Sequence, residues 1–262
     1  MDFEKSLLIA SKDIKEVFSS ITIYGPMVAI PLFFAIALPF LTFYVSMHAA
    51  PSLASKIFNM SMPASVLEQK SANNISFMSF FSIYVLGPIF LTMPIITASV
   101  IAADSFVGEK ERRTSEALLS LPIKTDELLL GKILASFIPT IILTIAVFLI
   151  YGAVVDYLSY AYFHIFILPN TQWLLMLLSS PFFAIATIGL IVLVSSHVKG
   201  VKEAQQISTL LVLPILVMPF MSITGFAAIT STLLVYLIIF LAIADLAIVY
   251  EGIKKFNRES LI

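Results

Sequence analysis

The sequence predicts an all-α integral membrane protein with six transmembrane helices and both termini in the cytoplasm. Three observations carry that prediction. Sixty per cent of the 262 residues are hydrophobic, only 12% are charged, and the mean hydropathy is +1.03. Soluble domains carry about 25% charged residues. The charges also leave five long gaps. There are 39 uncharged residues between Glu16 and Lys56, 33 between Lys70 and Asp104, 23 between Lys132 and Asp156, 42 between Asp156 and Lys199, and 41 between Glu203 and Asp245. Finally, 13 of the 15 Lys and Arg residues fall in segments that six spans would place on one side. Such a composition excludes a soluble enzyme and a disordered chain. A net charge of −1 and a pI near 6.3 supply no basic field for nucleic acid. The absence of cysteine excludes a disulfide framework, a thiolate metal site and a cysteine nucleophile.

The first element is an amphipathic helix over residues 2–19. Phe3, Leu7, Ala10, Ile14, Val17 and Ile21 recur at steps of three and four, with Lys5, Lys12, Lys15 and Glu16 on the other faces. Directly before a span, such a helix is expected in the cytoplasmic interface, as an anchor or as a contact for a cytosolic partner. The apolar run that follows is too long and starts too late for a signal peptide, so it reads as a retained first span.

Crossing about 30 Å of hydrocarbon takes roughly 20 apolar residues. On that measure the spans are 25–47, 77–103, 133–155, 173–197, 204–221 and 229–250, the last gap being divided at Ser222-Ile223-Thr224-Gly225. Lys5, Lys12, Lys15, Lys110, Arg112, Arg113, Lys124, Lys132, Lys199, Lys202, Lys254, Lys255 and Arg258 then lie inside, against Lys56 and Lys70 outside. The external loop 49–76 holds two glycosylation-type tripeptides, Asn59-Met60-Ser61 and Asn74-Ile75-Ser76. Tyr157, Tyr160, Tyr162 and Trp173 suit an outer aromatic belt.

The segment from Gly108 to Lys132 is the most informative. Gly108 is expected to break the second span, and residues 109–120 to form a short helix with charges first and Ala117, Leu118, Leu119 and Leu121 at its end. Glu109 and Glu111 would sit where the helix dipole favours anions. Pro122 stops that helix, and Thr125 caps the next, with Asp126 and Glu127 in its first turn. A plain connection needs only a handful of residues. A longer one, charged at one end and apolar at the other, has what a docking element needs: charges to orient it and a small apolar surface to bury.

The run Glu-Lys-Glu-Arg-Arg-Thr-Ser-Glu-Ala-Leu-Leu-Ser-Leu-Pro-Ile at 109–123, followed by Leu-Leu-Leu-Gly-Lys at 128–132, resembles the motif of type-2 ABC exporter permeases. The resemblance extends to Val198–Gln206 and to Phe256-Asn257-Arg258-Glu259, and the six-span plan fits almost the whole chain. One departure is Arg113, which precedes Thr114 where a glycine is usual. The resemblance implies a permease without ATPase activity, paired with a second permease subunit as a homo- or heterodimer in the plasma membrane. It implies two cytosolic P-loop ATPase subunits, which bind the ATP and Mg. It also implies that Glu109, Lys110, Glu111, Arg112, Arg113, Thr114, Glu116 and Leu119 form or flank a coupling helix seated in a cleft of the ATPase.

The residues themselves agree that no ATP site is present in this chain. Gly131-Lys132 is the only Gly-Lys pair, but Asp126 stands where a phosphate-binding loop needs glycine and Ile133 where it needs Ser or Thr. His48, His164 and His197 are far apart and mark no metal site. Asp245 is the one acid deep in a span. It is a candidate substrate, cation or proton contact, or else part of a hydrogen-bonded helix pair. Three functions stay open: the transmembrane half of an ATP-driven exporter, a force-transmitting membrane partner of an ATPase without transport, and a stand-alone channel or carrier using Asp245. The coupling segment favours the first two, since carriers usually show internal repeats and several intramembrane charges.

Overall fold

Apolar helices with no solvent-exposed edge are what a chain of this composition can build in lipid, because each backbone group must find its partner locally. The computed structural model describes residues 3–19, 21–48, 73–112, 124–198, 200–224 and 231–255, and these are helical almost throughout. Six stretches are long and apolar enough to cross a membrane: Met27–His48, Ile75–Glu111, Thr125–Phe163, Thr171–Val194, Val201–Ile223 and Ser231–Ile248.

Helix α1 (Phe3–Ser19) precedes the first span, α2 (Ile21–His48). The second span is composite. It runs through α3 (Asn73–Phe80), a π turn at Phe81–Leu86, α4 (Gly87–Phe90), α5 (Thr92–Ala103), a second π turn at Asp104–Gly108, and α6 (Glu109–Glu111). The third span is α7 (Thr125–Phe163) and the fourth is α8 (Thr171–Val194). The fifth is α9 (Val201–Thr209) with α10 (Val212–Thr224), and the sixth is α11 (Ser231–Lys255). The second span is the axis of the bundle: 83% of its most apolar window is buried, against 50% or less in every other span. Helices α2, α7, α8, α9 and α10 pack around it, and α11 packs on α8.

The second span departs from expectation at Gly108. The helix does not break there; it continues through Glu111. Gly108 serves a close approach instead, because a Cβ would sit 2.9 Å from the Asp104 Oδ1 and 3.5 Å from Val201 of α9. The remainder of the expected short helix, residues 113–120, lies outside the described residues, as does most of the external loop. At 39 residues α7 is about 58 Å long, well beyond the hydrocarbon thickness, so the helix expected at Thr125 and the span 133–155 are one element. Its cap sits one residue earlier than expected: the Lys124 backbone N–H donates to the Glu127 carboxylate at 3.2 Å.

Among the described residues two large cores divide the bundle along its length, and a small third one joins Val17, Met27 and Ile101. At one end Phe90, Phe148, Tyr151, Trp173 and Met176 interlock, with the Phe90 and Tyr151 rings 4.4 Å apart. At the other, Ala98, Ala102, Ala103 and Ala184 let the helices close around Phe106, Val107 and Leu129. That second end carries α1 and most of the described charges, and is called the charged end below.

Candidate functional site

At the charged end, four separate elements meet through polar side chains. Lys132, counted in the sequence among the charges of the inner side, lies eight residues into α7 and is fully buried. Its ammonium is 2.6 Å from the Glu109 Oε2, donates to the Ser105 carbonyl, and stands 5.6 Å above the Phe106 ring. That carbonyl belongs to the second π turn. An ammonium out of water needs such a set of partners, since burial of an unpaired charge costs several kcal/mol, roughly.

Helix α1 completes the cluster. The Ser105 hydroxyl donates to the buried Asp13 carboxylate at 2.7 Å. Lys12 lies 3.6 Å from Glu109, 3.5 Å from Asp13 and 3.8 Å from Glu16. Partial burial works against the Lys12 ammonium, but Asp13, Glu109 and Glu16 outweigh it and raise its pKa above the ordinary lysine value. Arg112 joins Glu16, at 3.0 Å, to Asp104. Closer to the start of α7, the Ser6 hydroxyl donates to the Glu127 carbonyl at 3.0 Å. This approach depends on Gly131, where a Cβ would meet Ile9 at 2.8 Å and the Ser6 carbonyl at 2.9 Å. Glycine and lysine of the Gly-Lys pair thus have separate tasks: one admits α1, the other anchors the second span.

The fourth element is α9. The Glu111 carboxylate accepts the Val201 backbone N–H at 2.9 Å, at the helix N-terminus where an anion is favoured. Of the residues expected to form or flank the coupling helix, Glu109 is buried and Glu111 and Arg112 are exposed, and all three bind the second span to α1, α7 or α9. Lys110 is half-buried at the same level. Arg113, Thr114, Glu116 and Leu119 lie outside the described residues. Lys12, Asp13, Ser105 and Lys132 were not expected in this site. The sequence signal for Lys132 is its setting, a single charge inside Leu-Leu-Leu-Gly-Lys-Ile-Leu at 128–134.

The apolar stripe expected along α1 is divided. Ala10 and Val17 are buried with Ser6 and Asp13, the face against α7, while Phe3 (58%), Leu7, Leu8 and Phe18 are exposed. Small and polar residues make the close contact, and the large apolar ones face outward.

Asp245 lies far from this cluster in sequence, on α11. It is 5% exposed, and neither carboxylate oxygen has a hydrogen-bond partner among the described residues. Three residues on, Ile248 presses so closely on α8 that a Cβ at Gly189 would come within 2.2 Å of it. An ionised carboxylate in hydrocarbon without a donor costs about 3 kcal/mol.

At the opposite end, a cavity of about 300 Å³ opens between the second span, the 165–172 segment and the start of α11. The Gln172 amide donates to the Tyr84 hydroxyl across it at 3.0 Å.

No curated protein matches the chain. The family described as ABC-2 family transporter protein matches residues 7–243, from within α1 to just short of Asp245, and so takes in five spans, the first half of the sixth and the charged members of the polar cluster. The chain is a multi-pass membrane protein and belongs to the ABC-2 transporter permease family.

Proposed function

We propose that this chain is the membrane subunit of an ATP-driven exporter in the plasma membrane. It works beside a second permease subunit and is moved by a separate cytosolic P-loop ATPase that binds the ATP and Mg. The charged end faces the cytoplasm, and residues 109–120 dock on the ATPase. The observation that carries this reading is the Lys132–Glu109 pair with its surrounding cluster. A displacement applied at residues 113–120 enters the second span at Arg112. From there it reaches α1 through Glu16 and Lys12, α7 through Lys132, and α9 through Glu111. Three spans and the N-terminal helix would move as one body. The exposed Phe3, Leu7 and Leu8 suit contact with lipid headgroups and upper acyl chains, so α1 would slide in the interface.

The test is a cross-link. The chain has no cysteine, so Leu119→Cys carries a lone thiol. A bifunctional maleimide reagent applied to native membranes is expected to join it to a P-loop ATPase. A thiol placed by Thr171→Cys, at the opposite end, should give no such product. Cross-linking from Thr171 and none from Leu119 would reverse the orientation.

Within the spans, Asp245 is proposed as the polar group that cargo meets. Asp245→Asn keeps hydrogen-bonding groups and is expected to leave the ATPase rate of the complex within about twofold. Asp245→Leu should lower that rate at unchanged thermal stability. An unchanged rate in the Leu variant would remove Asp245 from the path.

A further inference from the structure

We infer that the cavity at the end opposite the charged cluster is a binding site for an uncharged, hydroxyl-rich ring, the chemistry of a sugar headgroup. Among the described residues, six of the side chains around it are polar and none carries a charge: Ser79, Tyr84, Asn170, Thr171, Gln172 and Ser231. An ionic ligand there would be drawn out of water with no opposite charge to meet it. A ring with several hydroxyls both donates and accepts, and the lining can answer both. With its Nε2 donating to Tyr84, Gln172 presents its carbonyl oxygen, and the Tyr84 hydroxyl proton remains to donate. Asn170 uses its Oδ1 to accept the Gln172 backbone N–H at 3.0 Å and has its NH₂ as a further donor in the cavity lining.

The other wall is apolar and suits the carbon face of such a ring. The Phe166 ring is 65% exposed and is backed by Tyr160 in a stack at 4.9 Å and 15°. Its backbone is fixed: the Asp156 carboxylate accepts the N–H groups of Ile167 at 3.0 Å and Leu168 at 2.9 Å. The wall is therefore built before any ligand arrives. A volume of about 300 Å³ lies at the small end of ligand sites, enough for one or two rings and too small for a polymer. Read as cargo, this ligand rests on the exporter proposal; the binding itself does not.

The only tryptophan in the chain, Trp173, directly follows Gln172 and is nearly buried, so its emission reports on the site. The full-length protein in phosphatidylcholine nanodiscs would be titrated with octyl glucoside below its micelle concentration. Methyl glucoside, octyl sulfate and octylammonium serve as separate arms. A saturable change with octyl glucoside is expected, and none with the two charged amphiphiles. Tyr84→Phe combined with Gln172→Ala should weaken the dissociation constant roughly tenfold, as loss of one or two neutral hydrogen bonds implies. Leu119→Glu should leave it unchanged, whether or not an ATPase partner exists. Saturation by methyl glucoside at similar concentration assigns the site to a free sugar, and its failure to a lipid-linked one. No saturable change, equal response to charged amphiphiles, or an unaltered double variant of normal thermal stability would overturn the inference.

Discussion

Lys132 shows how much a single side chain can hold at this membrane edge. It is fully buried, with Glu109 and the Ser105 carbonyl as partners. Lys132→Met removes the ammonium and leaves Glu109 with the more exposed Lys12. Breaking a buried pair from one side costs about 3–5 kcal/mol, whereas replacing both members by neutral groups is far milder. Lys132→Met is therefore expected to lower the thermal midpoint in detergent by many degrees, and Lys132→Met with Glu109→Gln to recover a large part. If the double variant is as unstable as the sum of the singles, the two residues do not act as a pair. Sequence reasoning counted Lys132 among the loop charges that orient the chain. The polarity of the residue was legible, but its burial was not, because burial depends on Gly131, α1 and a distant π turn. Asp245 was legible for the opposite reason: no neighbouring charge hides it in a run of apolar residues.

At the scale of the element, the second span has two π turns, and α7 partners both. The Tyr151 hydroxyl donates to the Ser82 carbonyl of the first at 2.8 Å, and Lys132 donates to the Ser105 carbonyl of the second. In each π turn a carbonyl accepts a bond from a side chain of α7, which ties that helix to the irregular turns of the second span. Tyr151→Phe removes one donor with almost no change of shape. It should cost about 0.5–1.5 kcal/mol, the net worth of one neutral hydrogen bond. The thermal midpoint of the purified variant checks this; an unchanged midpoint would mean the carbonyl finds another partner. None of this irregularity was legible. A span of nearly uniform hydropathy gives no periodic signal for an extra residue in a turn, and Gly108 reads as a breaker unless its neighbours Asp104 and Val201 are known. The amphipathic helix, by contrast, was legible as an element, but which of its residues pack on α7 was not. The steps of three and four located the large apolar residues, which face outward, while Ser6 and Asp13 join Ala10 and Val17 on the packed side.

For the whole molecule, six spans and the transporter family follow from two readings that need no tertiary contacts: the charge gaps and the run from Glu109 to Lys132. Hydropathy gives the number of spans because each must cross the same thickness of hydrocarbon. It does not give their packing order, since lipid is as apolar as leucine and every face of a span reads alike. With the second span at the centre and α1 locked to α7, the charged end is built to move as a single body, and we propose that an ATPase drives it. The most direct test is to purify the protein from its own membranes in mild detergent and quantify what accompanies it. A P-loop ATPase at one copy per permease is expected with the wild type. It should be lost with Glu116→Lys and Leu119→Glu at unchanged thermal stability, and retained, with impaired coupling, in Lys132→Met/Glu109→Gln. A protein that purifies alone, folded and with its cytoplasmic segment intact, would contradict the claim.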